Sequence, residues 1–160
     1  MKHINLHQPH GAKEETNPYK KLFIMIVLSF ISMFILMYAM VNSLDNVFSN
    51  INQFYMAGLM TAPMILIEIV LMREMYLNKK LNVIFITLGV IMMITCFVFI
   101  RQQSYVADRQ FLKSMIPHHG AAILMCKETS LTDPEVKELC RKIVINQQSE
   151  IDQMKAKLDK

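Results

Sequence analysis

The sequence predicts an all-α membrane protein, in which three transmembrane helices precede a helical hairpin that completes a four-helix-bundle-like domain by oligomerisation. Three observations support this fold class. Of the 160 residues, 53% are hydrophobic and 19% are charged, whereas about a quarter of a soluble domain is charged. Long apolar runs fall in the N-terminal two thirds and exclude an intrinsically disordered chain. The charged segment that follows has helical periodicity, and the net charge of +4 without a basic, aromatic-rich face does not favour nucleic-acid binding.

Three apolar runs account for the predicted membrane anchor, residues 22–100. The first run is uncharged and long enough to cross a hydrocarbon core of about 30 Å at roughly 1.5 Å per residue. A cleaved signal peptide is the alternative for it, but a shorter apolar core and a small-residue cleavage site are typical of one. The second run contains Pro63 and Glu68, the third contains Gly89, and all three are predicted helices because lipid satisfies no backbone polar group. The predicted spans are residues 22–41, 54–72 and 81–100.

The distribution of positive charge predicts the orientation of the anchor. Three spans place residues 1–21 and 73–80 on one side of the membrane, and residues 42–55 on the other side with the C-terminal region. Lys and Arg residues are concentrated in the first pair of segments and absent from 42–55. The positive-inside rule therefore predicts a cytoplasmic tail over 1–21 and an extracytoplasmic domain over 101–160, in a bacterial cytoplasmic (inner) membrane. Basic residues just after the third span favour the opposite orientation more weakly: Arg101, Arg109 and Lys113.

Methionine is frequent within the predicted spans, where it recurs at helical spacing. Flexible packing between helices is the general interpretation of such residues, and a row of soft ligands for Cu(I) is the specific one. Glu68 is costly to bury in lipid, by about 2.5–3.5 kcal/mol near the membrane centre, and is either functional or paired with Arg73 or Asn82. Cys96 in the third span is predicted to be a small apolar packing residue. The residues of a candidate membrane relay are Met37, Met40, Met56, Met60, Met64 and Glu68.

Two further helices are predicted after the third span. Residues 104–115 are predicted to be helical, with the option of continuing the third span across the interface. Pro117 is predicted to interrupt or kink this helix because it has no N–H and crowds the preceding turn. The last helix is predicted over Pro134–Leu158, with Asp133 or Thr132 as its N-cap and proline at its first position. Two helices of this size are too few to bury a full core on their own.

Side chains that bind metals lie on stripes of these two helices that an antiparallel turn near Asp133 brings together. On the first helix one stripe carries Met115, His119 and Cys126, and a neighbouring stripe carries His118 and Met125. On the last helix one face carries Ile143, Gln147, Glu150 and Met154, with Cys140 and Ile151 at its margin. Residues at equal distances from this turn should face each other, which places Cys126 opposite Cys140, His119 opposite Gln147, and Met115 opposite Ile151. Met154 lies about one helical turn beyond Ile151. For the two cysteines, a disulfide and simple packing are equally favoured predictions, and metal binding is less favoured.

The ligand types indicate which metal these stripes favour. Imidazole binds zinc, copper, nickel and iron, whereas thioether sulfur selects copper, above all Cu(I). A zinc site would use Cys, His or carboxylate ligands and leave the methionines idle. A di-iron bundle would need several Glu residues and Glu-x-x-His pairs on facing helices, and this pattern is absent from the sequence. Copper is therefore the predicted cofactor.

The C-terminal region resembles the domain of unknown function 305 family over roughly residues 104–158. Members of this family are helical domains, typically secreted or membrane-anchored, and some bind copper. The first hundred residues are similar to the three-span anchor of a membrane-bound branch. The family usually has Gln or a similar polar residue after the paired histidines, where this chain has Gly120, which is less favourable in a helix than Ala by about 1 kcal/mol. The resemblance is carried by Asp108, Phe111, Met115-Ile116-Pro117-His118-His119, Met125, Gln147, Glu150-Ile151 and Met154.

These observations predict a non-catalytic membrane protein that binds or buffers copper. Family members are often longer bundles, so the resemblance together with the small core implies a homo-oligomer, with a dimer favoured. The predicted ligands are Met115, His118, His119, Met125 and Met154. Glu150, Gln147 and Asp108 are predicted to support these ligands by hydrogen bonds.

Two other functions are consistent with the sequence. One is a structural, oligomer-forming membrane protein without metal, and the other is an enzyme that uses a bound transition metal with Glu150 or Asp108 as acid or base. The tail histidines would hold a metal only if the tail were helical, whereas its Pro and Gly residues predict a solvated segment. These histidines are His3, His7 and His10.

Overall fold

The computed structural model describes residues 17–159, and this part of the chain is helical without strands. Two short 3₁₀ turns, Met37–Met40 and Leu44–Asn46, lie in the connection after the first helix. The all-α class predicted from the sequence is therefore confirmed for the described residues. The tail histidines His3, His7 and His10 lie outside them. The α-helices are α1 (Pro18–Leu36), α2 (Ile51–Leu71), α3 (Lys79–Gln102), α4 (Asp108–Glu128) and α5 (Pro134–Leu158).

Three of these helices are long and apolar enough to cross a membrane: α1 with the following 3₁₀ turn, α2 and α3. The helix α2 is central, because it packs against both α1 and α3. In its most apolar stretch 39% of the residues are buried, against 6% in each of the other two. The large apolar side chains of α1 and α3 are mostly exposed, as Phe23 and Phe97 are, which suits a lipid environment.

Each of these three helices begins earlier than its apolar run, because an asparagine caps it. The side chains of Asn17, Asn50 and Asn78 accept hydrogen bonds from backbone N–H groups of the first turn. Such caps satisfy donors that have no partner within the helix. The helices therefore reach into the polar flanks of the predicted spans, to Lys20 in α1 and Lys79 in α3.

A close approach between α2 and α3 depends on Gly58. A Cβ atom at this position would lie 2.8 Å from the Sγ atom of Cys96. Small residues let membrane helices approach closely and gain packing contacts. The thiol of Cys96 thus occupies the space that Gly58 leaves, in agreement with the packing role predicted for it.

Glu68 has a different partner from the two that the sequence suggested. Its Oε1 atom accepts a hydrogen bond from the hydroxyl of Tyr76 at 3.2 Å, and within residues 17–159 it forms no ion pair with Arg73. Asn82 instead donates from Nδ2 to the carbonyl oxygen of Tyr76 at 2.7 Å. Burial, and then the adjacent carboxylate, raise the pKa of Tyr76, so its hydroxyl remains a donor to Glu68.

The third span does not continue into the C-terminal region. The helix α3 ends at Gln102, and Gln103 and Tyr105 have positive φ angles of 50° and 60°. Left-handed backbone is disfavoured for residues with a side chain and cannot propagate a right-handed helix. A new helix, α4, then begins at Asp108.

Pro117 does not interrupt α4, so of the predicted interruption or kink the interruption is wrong. The helix is assigned without a gap across Pro117, whose side chain is buried. Proline removes the N–H that would bond to the carbonyl four residues earlier, which is that of Lys113. The Nδ2 atom of Asn50 lies 3.5 Å from this carbonyl oxygen, so a neighbouring helix cap compensates at the outer limit of hydrogen-bond distance.

Polar contacts dock the start of α4 and its preceding linker on the start of α2. The backbone N–H of Ile51 donates to the Oε1 atom of Gln110 at 3.0 Å. The hydroxyl of Tyr55 donates to the carbonyl of Ser104 at 3.0 Å. Phe48, in the connection before α2, packs against the buried core of the hairpin. The hairpin is therefore fixed to the membrane helices through side chains that the apolar pattern does not reveal.

The helix α5 begins and ends where the sequence predicts. Asp133 caps it by accepting hydrogen bonds from two backbone N–H groups, and Pro134 occupies the first turn. The helices α4 and α5 pack together around a buried cluster of Ile116, Ile123, Ile151 and Met154. These apolar contacts hold the hairpin together and set its register.

Gly120 allows α4 to approach the connection between α1 and α2. A Cβ atom at this position would lie 2.6 Å from Oδ1 of Asn42 and 3.3 Å from Cγ1 of Val41. The same Oδ1 atom accepts a hydrogen bond from Asn46 at 2.7 Å, which limits how far it can move. The glycine that departs from the family pattern is thus required by tertiary packing.

Replacing Gly120 with Leu should therefore loosen the docking of the hairpin, because the added side chain has no space. Overpacking of this kind costs about 1–3 kcal/mol. We expect faster hydrogen exchange at the amides of residues 41–47 in the purified protein. The matched control is Ala156→Leu, at an exposed position of α5, which should leave that exchange unchanged. Equal exchange in both variants would contradict this role of Gly120.

Candidate functional site

The two adjacent histidines of α4 have different surroundings. His119 is buried, and both of its ring nitrogens have partners: Nδ1 lies 2.9 Å from the carbonyl oxygen of Met115, and Nε2 lies 2.6 Å from Oε2 of Glu150. The carbonyl is an acceptor only, so Nδ1 carries the proton that it donates. The Nε2 atom is then the nitrogen presented to α5. The sequence predicted that Glu150 supports one of the ligands by a hydrogen bond, and in the structure the residue it contacts is His119.

A cleft of about 290 Å³ lies between α4 and α5 beside this pair. We call it the hairpin cleft. Three of the five predicted ligands line it, Met115, His119 and Met154, together with Glu150. The remaining lining residues are Phe111, Leu112, Gln153 and Lys157.

His118 points into another space, a cleft of about 360 Å³ where α4 meets the ends of α1 and α2. We call it the junction cleft. The rings of His118 and His119 are 5.9 Å apart at an interplanar angle of 64°, so adjacent positions on one helix serve different clefts. Within the described residues the ring of His118 forms no hydrogen bond. The soft side chains of the junction cleft are those of Met37, Met40, Met56, Met115 and His118.

Three predicted site residues lie apart from both clefts. Met125 is 51% exposed and lines neither cleft. Asp108, in the first turn of α4, is also absent from both linings. Gln147, which the antiparallel turn was predicted to place opposite His119, does not bond to it, because Glu150 occupies that position. The Oε1 atom of Gln147 is buried and has no hydrogen-bond partner among residues 17–159.

The candidate membrane relay is divided in the structure. Met37, Met40 and Met56 line the junction cleft. Met64 lines a separate crevice with residues of α1, Met60 is exposed, and Glu68 bonds to Tyr76. The six residues therefore do not form one continuous row across the anchor.

Cys126 and Cys140 are bonded as a disulfide, with their Cα atoms 5.3 Å apart. This is the pair that the turn arithmetic placed opposite each other, and it resolves the choice between bonding, packing and metal binding. The disulfide closes the hairpin near its turn. The His119–Glu150 pair joins the same two helices farther from the turn.

The donor set available for a metal is dominated by thioethers. Residues 17–159 contain no group of three or more His, Cys, Asp or Glu side chains placed to share one ion. A metal held by the clefts would therefore need methionine ligands, which select soft ions. Sequence reasoning missed the polar residues of the junction cleft, although their position at the start of an apolar run was a signal. These are Asn50, Asn52 and Gln53.

Comparisons with known proteins give one match to the hairpin and another to most of the chain. The family described as "Domain of unknown function (DUF305)" matches residues 99–158, which contain α4 and α5. An uncharacterized protein of Acanthamoeba polyphaga mimivirus is 35% identical over 142 residues, which is 86% of this chain and 91% of that relative. An alignment of this length includes most of the membrane helices, so both parts occur together in the relative. No solved structure matches the chain significantly.

Proposed function

The chain belongs to the DUF305 family, and we propose that its α4–α5 hairpin binds or buffers copper, as Cu(I), at a membrane surface without catalysing a reaction. The observation that carries this proposal is the convergence of Met115, Met154 and His119 on the hairpin cleft. Cu(I) is a soft monovalent ion that thioether sulfur and imidazole nitrogen bind in preference to hard cations. The copper ion is the cargo of this protein, and the three side chains are its proposed ligands.

The hydrogen bonds of His119 suit this role. Its Nδ1–H donates to the carbonyl of Met115, and such a bond commonly fixes the tautomer and the orientation of a metal-binding histidine. The Nε2 atom faces Glu150, whose side chain is 55% exposed. Glu150 can therefore turn into water when Nε2 binds copper, at little desolvation cost. In the metal-free protein one proton shared between Nε2 and Oε2 of Glu150 joins the pair, because an unprotonated ring nitrogen and a carboxylate are both acceptors. Copper binding at Nε2 displaces this proton, which leaves on Glu150 or passes to water.

We further propose that the hairpin lies on the extracytoplasmic side of the membrane. The positive charge flanking α1 and α3 supports a cytoplasmic N-terminus. The Cys126–Cys140 disulfide supports an oxidising compartment for the hairpin. The relative is viral, and the comparisons do not support the bacterial source expected from the sequence. The proposal therefore concerns the side of the membrane and not the organism.

A second copy of the chain is the proposed partner of the hairpin. The helix α5 leaves the large apolar side chains of Val136 and Leu139 exposed on one face, and a hairpin of two helices buries little core on its own. Pairing with another hairpin would cover this face and complete a four-helix bundle. A purely structural, metal-free dimer is the alternative function that this exposed face supports.

Copper competition on the full-length protein in detergent tests the function. Cu(I) bound to a chromophoric chelator is titrated, without oxygen, with the wild type and with Met154→Leu. The variant keeps the shape of the side chain and removes one thioether, so we expect at least a tenfold lower affinity at the hairpin cleft. Met125→Leu, outside both clefts, is the matched control and should bind as the wild type does.

The same experiment separates the two functions. A copper-binding protein should show a higher melting temperature with Cu(I), because a ligand that binds only the folded state stabilises it. Failure of the wild type to take copper from the chelator, together with an unchanged melting temperature, would support the metal-free structural role. Equal affinity of Met154→Leu and the wild type would remove the hairpin cleft as the site.

A further inference from the structure

We propose that the junction cleft is a second Cu(I) site, built jointly by the membrane helices and the hairpin. This inference rests on the proposed function for the choice of ion, and its residues are distinct except for Met115. The family match covers residues 99–158 and so excludes most of the cleft. Three of its four thioethers come from the membrane anchor.

The thioethers reach this cleft from separate elements of the fold. Met37 and Met40 lie in the 3₁₀ turn that follows α1, Met56 lies in the second turn of α2, and Met115 lies in α4. They converge because the hairpin docks on the start of α2 through Gln110. A set of soft donors drawn from three elements is a tertiary feature, and general helix packing does not require it.

His118 supplies the nitrogen ligand of the proposed site. Its ring forms no hydrogen bond within residues 17–159, whereas both nitrogens of His119 are engaged. A metal can therefore bind His118 without breaking an existing contact. The side chain is also exposed, so an ion reaches it directly from the aqueous side of the cleft.

The charge of the cleft indicates the class of ion. Among the described residues that line it, none is acidic, and the side chains that could bind an ion are thioethers, one imidazole, neutral amides and the hydroxyls of Tyr38 and Ser114. The amides of Asn50 and Gln53 are buried and hydrogen-bonded to each other and to backbone groups, so they shape the cleft. A neutral, sulfur-rich site without carboxylates disfavours Ca²⁺, Mg²⁺ and Zn²⁺ and favours a soft monovalent ion.

Met115 connects the two clefts, because it is a lining residue of both. An ion held by His118 at the junction is thus one shared ligand away from His119 and Met154. We infer that copper passes between the clefts by exchange of ligands at Met115, with no change of oxidation state. The junction cleft would load or unload the hairpin at the membrane surface.

Metal stoichiometry of the full-length protein tests the second site. Ag(I), a redox-stable soft ion, and Cu(I) are titrated into the detergent-solubilised protein. The test variant is Met37→Leu/Met40→Leu/Met56→Leu, and the matched control is Met60→Leu/Met64→Leu/Met72→Leu, which removes the same number of thioethers from the anchor outside the cleft. We expect two equivalents in the wild type and in the control, and one in the test variant.

His118→Ala provides a second test at an exposed position, where misfolding is not expected. It should weaken one of the two equivalents by at least tenfold and leave the other unchanged. X-ray absorption counts the sulfur neighbours of each bound copper ion. The test variant keeps only the hairpin site with its two proposed thioethers, so we expect fewer sulfur neighbours per ion than in the control variant, which keeps both sites. An identical sulfur count per ion and an unchanged stoichiometry in both variants would overturn the junction site.

The outcomes distinguish this inference from the function on which it rests. Two equivalents in the test variant, with loss of one in Met154→Leu, would refute the junction site and leave the hairpin site intact. A single equivalent that depends on Met37, Met40 and Met56 but not on Met154 would support the junction site and refute the hairpin site. A wild type that binds neither ion would refute both.

Discussion

An Ile151→Ala variant should lose about 2–5 kcal/mol of unfolding free energy from the hairpin, the usual cost of truncating a fully buried aliphatic side chain. Ile151 has no exposed surface and packs with Ile116 and Ile123 between α4 and α5. Removing its terminal atoms leaves a cavity. The two helices cannot readily close it, because the Cys126–Cys140 disulfide holds them in place. The loss is measured by thermal or denaturant unfolding of the purified protein, followed by the helical circular dichroism signal of the hairpin transition.

The control for this prediction lies on the same helix. Ile145 is 55% exposed, so Ile145→Ala should change the stability by less than about 0.5 kcal/mol if the chain is monomeric. Equal losses in the two variants would contradict the assigned core. A large loss for Ile145→Ala that shrinks as the protein is diluted would instead place Ile145 in a dimer interface, because both proteins become monomeric at low concentration.

Removing the disulfide is expected to cost about 3 kcal/mol, the loss predicted for a closed loop of about 15 residues. Cys126 and Cys140 are separated by 14 positions, and without the bond the unfolded hairpin gains conformational entropy. Cys126→Ser/Cys140→Ser should therefore unfold at a lower temperature than the oxidised wild type. Thermal unfolding with and without a reductant measures the difference.

The reductant supplies an internal control for the disulfide prediction. It should lower the melting temperature of the wild type and leave that of the double serine variant unchanged, because Cys96 is not bonded. If the reduced and oxidised wild type unfold at the same temperature, the disulfide does not stabilise the hairpin.

Much of the hairpin was accessible from local patterns. The 3.6-residue period placed His119 and Met115 on one stripe, and Asp133 with Pro134 marked the start of α5. Given the turn, antiparallel geometry paired Cys126 with Cys140. These predictions depend only on helix geometry and capping, which act over a few residues.

Other features depended on contacts between distant segments. Pro117 was expected to interrupt or kink the helix, yet α4 continues without a gap, and the carbonyl oxygen of Lys113 lies near Nδ2 of Asn50. Gly120 looked like a weak point, although a side chain there would collide with Asn42. In both cases the rule for proline or glycine describes an isolated helix. Contacts with a neighbouring segment offset the cost that this rule predicts.

The amino-acid pattern was sufficient for the three apolar helices, the hairpin, the pairing of Cys126 with Cys140 and the soft character of the candidate ligands, because periodicity and hydrophobicity are local properties. It was not sufficient to show that His118 and His119 line different clefts, or that Met37, Met40 and Met56 of the anchor line the same cleft as His118. Those arrangements depend on how the hairpin docks against the start of α2. Docking is set by packing and hydrogen bonds between residues far apart in the chain, which no local period encodes.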